Sequence, residues 1–178
     1  MKTIRLFPLE LRRLLQSRPT WLILLLTVAS PVLGLTLYQP ASADTMLSLY
    51  LANPSIAGGA AGGILFGLLA VYELDRVGRS RADALMDAAV SPLTMALVRL
   101  LALLATAVMT VTLTMLVWLP ISMRLIGSVF GGVDYALAYL LLMGLALLLS
   151  IPAAAAAYQF TRRADLSIVL FAAFAALS

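Results

Sequence analysis

Seven charged side chains crowd into YELDRVGRSRADALMDAAVSP, residues 72–92: Glu73, Asp75, Arg76, Arg79, Arg81, Asp83 and Asp87. Two kinds of chemistry are open to them. Asp83 and Asp87 stand four residues apart, on one face of any helix that carries them. Paired carboxylates of that kind hold a divalent cation when further oxygen ligands converge on it. Alternatively, two like charges that do not stabilise their own helix are neutralised by a partner or by the preceding arginines, which makes the stretch a docking element. The chain contains neither histidine nor cysteine. Imidazole bases, haem ligands, thiolates, disulfides and the usual zinc ligands are therefore all missing.

The local signals favour a short helix. Ser80-Arg81-Ala82-Asp83 fits a capping box, with Asp83 also placed against the positive end of the helix dipole. A helix from Arg81 to Val90 follows, with Leu85, Ala88 and Ala89 turned away from the two aspartates, and Ser91-Pro92 stops it. The simpler alternative is a solvated loop whose charges only fix topology.

The elements around this stretch are apolar. The chain is 63% hydrophobic and 11% charged over 178 residues, with a mean hydropathy of +1.05. Four runs reach the roughly 20 residues that a helix needs to cross a bilayer, and they do not alternate as barrel strands do. The expected fold class is all-α: a polytopic helical membrane protein. It has an N-terminal interfacial helix, four full transmembrane helices and the start of a fifth. Residues 2–18 are amphipathic, with Phe7, Leu11, Leu14 and Leu15 on one face and Glu10, Arg12, Arg13 and Gln16 around the other. Such a segment lies in the membrane interface. Residues 19–178 form the transmembrane domain, with the cytoplasmic connection at 73–92.

The first span runs from Thr20 to Tyr38, kinked at Pro31. No small-residue cleavage site follows it, so it reads as retained rather than as a secretory signal. TMLSLYLA, before Pro54, reads as a short surface helix. The second span, Ser55 to Tyr72, carries Gly59, Gly63 and Gly67 at four-residue steps. That leaves a face open for close helix approach, within the chain or between subunits. The third, Leu93 to Trp118, repeats Thr106, Thr110 and Thr114 on one face. These hydroxyls either bond back to their own helix or line a pathway. From Pro120 to Asp134 the apolar pattern lapses. The fourth span, Tyr135 to Tyr158, is interrupted at Pro152. Leu166 to Ser178 begins a fifth run of about 20 Å, short of a bilayer core of about 30 Å. The expectation is a longer chain, with a re-entrant tail as the alternative.

Eleven of the twelve basic residues fall on one side of an alternating four-span path, and only Arg124 lies opposite. By the positive-inside rule, the N-terminus and the charged connection are cytoplasmic, in the cell membrane. The net charge of +4 thus reads as membrane orientation rather than nucleic-acid binding.

Taken in order, these parts resemble the permease subunit of type-2 ATP-binding-cassette exporters. Glu73, Arg76 and Gly78, the helix around Asp83 to Val90, and Ser91-Pro92 match that family's acidic-basic-glycine cluster, coupling helix and small-residue–proline step. Extra residues between Gly78 and the helix, including Arg79 and Arg81, depart from the family spacing. The resemblance implies a six-span unit paired with a second permease unit, as homo- or heterodimer. It also implies a separate ATPase subunit, docked on the coupling helix, that holds the ATP and magnesium. One part follows from the residues alone. There is no GxxxxGK[ST] loop and the only lysine is Lys2, so this chain has no phosphate-binding lysine of its own. The expected role is transport of a hydrophobic or amphiphilic substrate, with no catalytic, cofactor or metal site on the chain.

Two rivals remain. Asp83-xxx-Asp87 resembles half of the aspartate motif of lipid phospho-alcohol transferases, whose other half is missing upstream. A secondary transporter would place ionisable groups at mid-membrane, and the span interiors carry none.

Overall fold

The computed structural model describes residues 2–36, 46–79 and 91–177, and nearly all of them are helical. A chain so poor in polar side chains satisfies its peptide groups within helices. Helix α1 (Lys2–Leu15) precedes α2 (Arg18–Ala29) and α3 (Pro31–Thr36), which share the first apolar run. The long rods α4 (Met46–Arg79) and α5 (Pro92–Ile126) have 34 and 35 residues. Each is about 50 Å long, well beyond a hydrocarbon core of about 30 Å. Helix α6 (Gly132–Ala138), a π-helical segment (Tyr139–Gly144) and α7 (Leu145–Thr161) form one continuous fourth run. Helix α8 (Ala164–Leu177) closes the described chain. Four stretches are long and apolar enough to cross a membrane: Arg18–Thr36, Tyr50–Arg76, Leu93–Val129 and Gly132–Thr161.

Several element ends differ from the sequence expectation. TMLSLYLA is not a separate surface helix; from Met46 onward it forms the first turns of α4. Pro120 sits inside α5, which continues to Ile126 and stops at Gly127, where φ is +66°. A side chain would be strained at that φ, so the glycine and not the proline ends the rod. Pro152 likewise lies inside α7, and the irregular turn of the fourth run is the π-helical segment before it. Pro31 does break its helix. It has no N–H to offer the Thr27 carbonyl, which accepts instead from Ser30 N at 3.3 Å and Ser30 Oγ at 2.7 Å.

Contacts along the glycines fix the direction of the spans. Gly59 meets Leu142 and Ala146, Gly62 meets Leu147, and Gly63 meets Ala146 and Ser150, so α4 and α7 run parallel. Pro31 faces Gly58, and Thr27 faces Gly62, so the first run is antiparallel to α4. At one end Trp118 Nε1 donates to the Val28 carbonyl at 2.8 Å, and Tyr135 Oη donates to the Met115 carbonyl at 2.6 Å. The basic Arg13, Arg76 and Arg99 gather at the opposite end, where the C-terminal end of α7 also places Arg162 and Arg163.

Between the two ends lie the fully buried Phe66, Leu69, Met143, Leu147 and Ile151. Against lipid, such packing gains dispersion rather than hydrophobic free energy, so close approach matters more than area. Glycine supplies that approach. A Cβ on Gly59 would stand 2.6 Å from the Leu142 carbonyl oxygen, which is backbone and cannot swing away. On Gly63 the nearest atom is 3.5 Å off, and on Gly67 a Cβ would run into the ring of Phe171. The glycine stripe is thus occupied by the chain's own fourth run and α8.

The same stripe therefore predicts unequal mutational costs. Gly59→Ala should destabilise by about 1–3 kcal/mol through overpacking. Gly63→Ala should be neutral or stabilising by about 0.5–1 kcal/mol, because alanine is the better helix former. Unfolding midpoints of the purified chain in one detergent check this; equal effects at the two positions would contradict the packing described.

Candidate functional site: a charge cluster at the base of the two long rods

The site grows from α1. Phe7, Glu10 and Leu14 follow one another at helical steps of three and four, so Glu10 shares the face that packs inward. Its side chain is 10% exposed. This corrects the placement of Glu10 on the polar face. Burial is tolerated because Arg13, one turn on, donates from Nε to Glu10 Oε2 at 2.6 Å. The Arg13 guanidinium also reaches α4, with Nη2 at 2.8 Å from Glu73 Oε2. That second contact is a charge contact, since Glu73 Oε2 lacks hydrogen-bond alignment. Arg76 Nη1 lies 3.5 Å from Glu73 Oε1. Arg99, on α5, brings Nε to 3.8 Å from Glu10 Oε1. Its side chain is only 15% exposed and turns into the cluster.

Glu10 and Glu73 with Arg13, Arg76 and Arg99 thus join α1, α4 and α5. Burial works to lower the Arg13 pKa. The Glu10 hydrogen bond and the fields of Glu73 and Glu10 outweigh it and hold the value above that of a free guanidinium. Arg13 is a cation throughout the physiological range.

Of the docking residues expected from sequence, Glu73 and Arg76 enter this cluster, and Gly78 and Arg79 lie in the last turn of α4. Ser91 and Pro92 begin α5: Ser91 Oγ accepts from Thr94 N at 3.3 Å as N-cap, with the proline at the first helical position. Arg81, Asp83 and Asp87, with the expected capping box and the helix at 81–90, lie outside the described residues. Glu10 and Arg13 were not among the expected site residues. Their signal was present in the Glu10–Arg13 spacing of three and in Glu10's register with Phe7 and Leu14.

The threonine stripe is fully buried in the single chain. Thr106, Thr110 and Thr114 donate at 2.8 Å to the carbonyls of Ala102, Thr106 and Thr110, respectively. An apolar cleft of about 460 Å³ opens between α4, α7 and α8, beside Gly59, Gly63, Ala146, Ser150, Phe171 and Phe174. Ser150 is its polar side chain, and that hydroxyl is spent on the Leu147 carbonyl at 2.9 Å. Among the described residues, no three side chains of the His, Cys, Asp and Glu types form a set that could hold a metal. No family model, curated protein or solved structure matches this chain.

The geometry predicts a hierarchy within the cluster. Glu73→Gln strands Arg13 beside a nearly buried position and should cost about 1–3 kcal/mol, with faster hydrogen exchange in α1. Arg76→Gln removes a half-exposed partner at 3.5 Å and should cost under about 1 kcal/mol. In a double-mutant cycle, Arg13→Gln with Glu73→Gln should cost less than the two singles together; strictly additive losses would show no coupling across the contact.

Proposed function

We propose that this chain is a membrane-spanning permease subunit of an ATP-driven exporter of the type-2 ATP-binding-cassette kind. It sits in the cell membrane with its N-terminus in the cytoplasm. A separate ATPase subunit holds ATP and magnesium, and a second permease unit completes the transporter. The substrate is hydrophobic or amphiphilic.

The observation that carries this reading is the cluster's position. Glu73 and Arg76 close the rod that leads into the 80–90 connection, and Arg99 lies two turns into the rod that leaves it. Ion pairs fasten both rods to α1 at that point. A displacement of the connection is then shared by three helices instead of being absorbed at one joint. The missing phosphate-binding lysine supports a separate ATPase, and the basic excess at this end supports a cytoplasmic connection. Asp83 and Asp87 serve as the docking carboxylates, with Arg79 and Arg81 beside them.

Co-purification of the full-length protein with candidate ATPases tests the reading. Asp83→Arg/Asp87→Arg should abolish ATPase association, or uncouple substrate-stimulated ATP hydrolysis, while detergent extraction and helicity stay as in the wild type. Unchanged association and coupling in that variant would remove the docking role.

A further inference from the structure

The other face of α1 points to a second kind of partner. Its inward face is consumed by the cluster and by Leu14, which leaves Pro8, Leu9, Arg12 and Gln16 exposed. The chain then turns at Ser17 into α2. Ser17 caps that helix by accepting from Thr20 N at 3.3 Å, and Trp21 Nε1 donates back to the Leu15 carbonyl at 2.6 Å. The elbow is therefore a bonded corner of fixed shape. On either side of it stand two arginines, Arg12 in α1 and Arg18 at the start of α2, both exposed and paired with no carboxylate among the described residues. Around them are exposed apolar side chains: Leu9, Trp21, Leu22 and Leu25, the tryptophan 51% open.

We infer that this elbow binds the phosphate of anionic phospholipids through Arg12 and Arg18. Three features converge on that partner. The elbow carries two cations that meet no carboxylate among the described residues, so it complements an anion. The charges border an exposed apolar surface that begins one turn later, with an exposed indole at the boundary. That is the layering of a lipid leaflet, headgroup above and chain below. Arg18 also occupies the first position of α2, whose first turn holds no acidic residue. A cation there opposes the positive end of its own helix dipole, and a bound phosphate relieves both charges. A zwitterionic headgroup brings its own cation and gains less. This inference concerns the membrane rather than the ATPase, so it stands or falls apart from the exporter proposal.

Trp21 is the built-in reporter. The full chain is reconstituted in bicelles of phosphatidylcholine with one fifth phosphatidylglycerol, and either lipid is supplied brominated in its acyl chains. Trp118 is 5% exposed and contributes an unquenched background; a Trp118→Phe variant verifies the source of the signal. At low salt, brominated phosphatidylglycerol should quench Trp21 more than brominated phosphatidylcholine at equal mole fraction. Relative association should fall about fivefold for each arginine replaced in Arg12→Gln and Arg18→Gln. The preference should shrink at 1 M salt, where the screening length is about 3 Å. Inorganic phosphate at matched ionic strength should weaken it no more than chloride does, and Arg124→Gln should leave it intact. Equal quenching by the two lipids in the wild type would overturn the inference. So would a preference that survives the double arginine substitution with helicity unchanged, or one that inorganic phosphate abolishes.

Discussion

A charge withdrawn from water must be paired, and this requirement organises the base of the molecule. Glu10 and Glu73 are buried to within 8% and 4% exposure, on different helices. An unpaired carboxylate in such a place costs several kcal/mol, more than a few apolar contacts return. Arg13 resolves both at once, with Nε on one carboxylate and Nη2 on the other. A planar guanidinium can divide its donors in this way, whereas a lysine ammonium is a point charge on a flexible stem. Arg76 and Arg99 then arrive from the two long rods. Those pairs hold α1, α4 and α5 together at this end.

Above this base, polar groups are kept from joining helices. The hydroxyls of Ser55, Thr106, Thr110, Thr114 and Ser150 all bond to carbonyls three or four residues back in their own helices. Such bonds satisfy the side chain without tying one helix to another. Cohesion in the middle therefore rests on dispersion and on the close approach allowed at Gly59 and Gly62. Bonds between helices return at the far end, where Trp118 reaches Val28 and Tyr135 reaches Met115. The bundle is tied by polar contacts at both ends and held by shape between them.

The sequence made some of this legible and hid the rest for physical reasons. Uninterrupted apolar length located the four long runs, because a bilayer-length helix leaves no other pattern. Pro31 was readable as a kink, and the structure makes it a break, since the N–H it lacks is one that Thr27 needs. Pro120 and Pro152 gave the same local signal, yet their helices continue past them. Whether a proline breaks or is absorbed depends on what neighbouring helices allow, and a single chain's letters do not record that. Glycine spacing announced close packing, but the partner became visible only in three dimensions. The cluster was half legible: Glu73 and Arg76 stood out against apolar surroundings. Glu10, by contrast, sat among basic residues in an amphipathic segment, where a solvated charge is the ordinary reading. The spacing of three signals its pair with Arg13, but its contact with Arg99, 89 positions away, is encoded in no local pattern.

Helix α1 therefore presents cations in two different settings. Arg13 faces the rods and is spent on carboxylates, whereas Arg12, one residue earlier, is exposed and meets no carboxylate among the described residues. The separation follows from the helical rotation of about 100° per residue, which sends adjacent side chains to different faces. If the outward set holds headgroups, α1 is anchored to the leaflet on one side and to α4 and α5 on the other. On the exporter reading, a force applied at the connection would then act against a part fixed in the membrane plane and not against a freely floating helix.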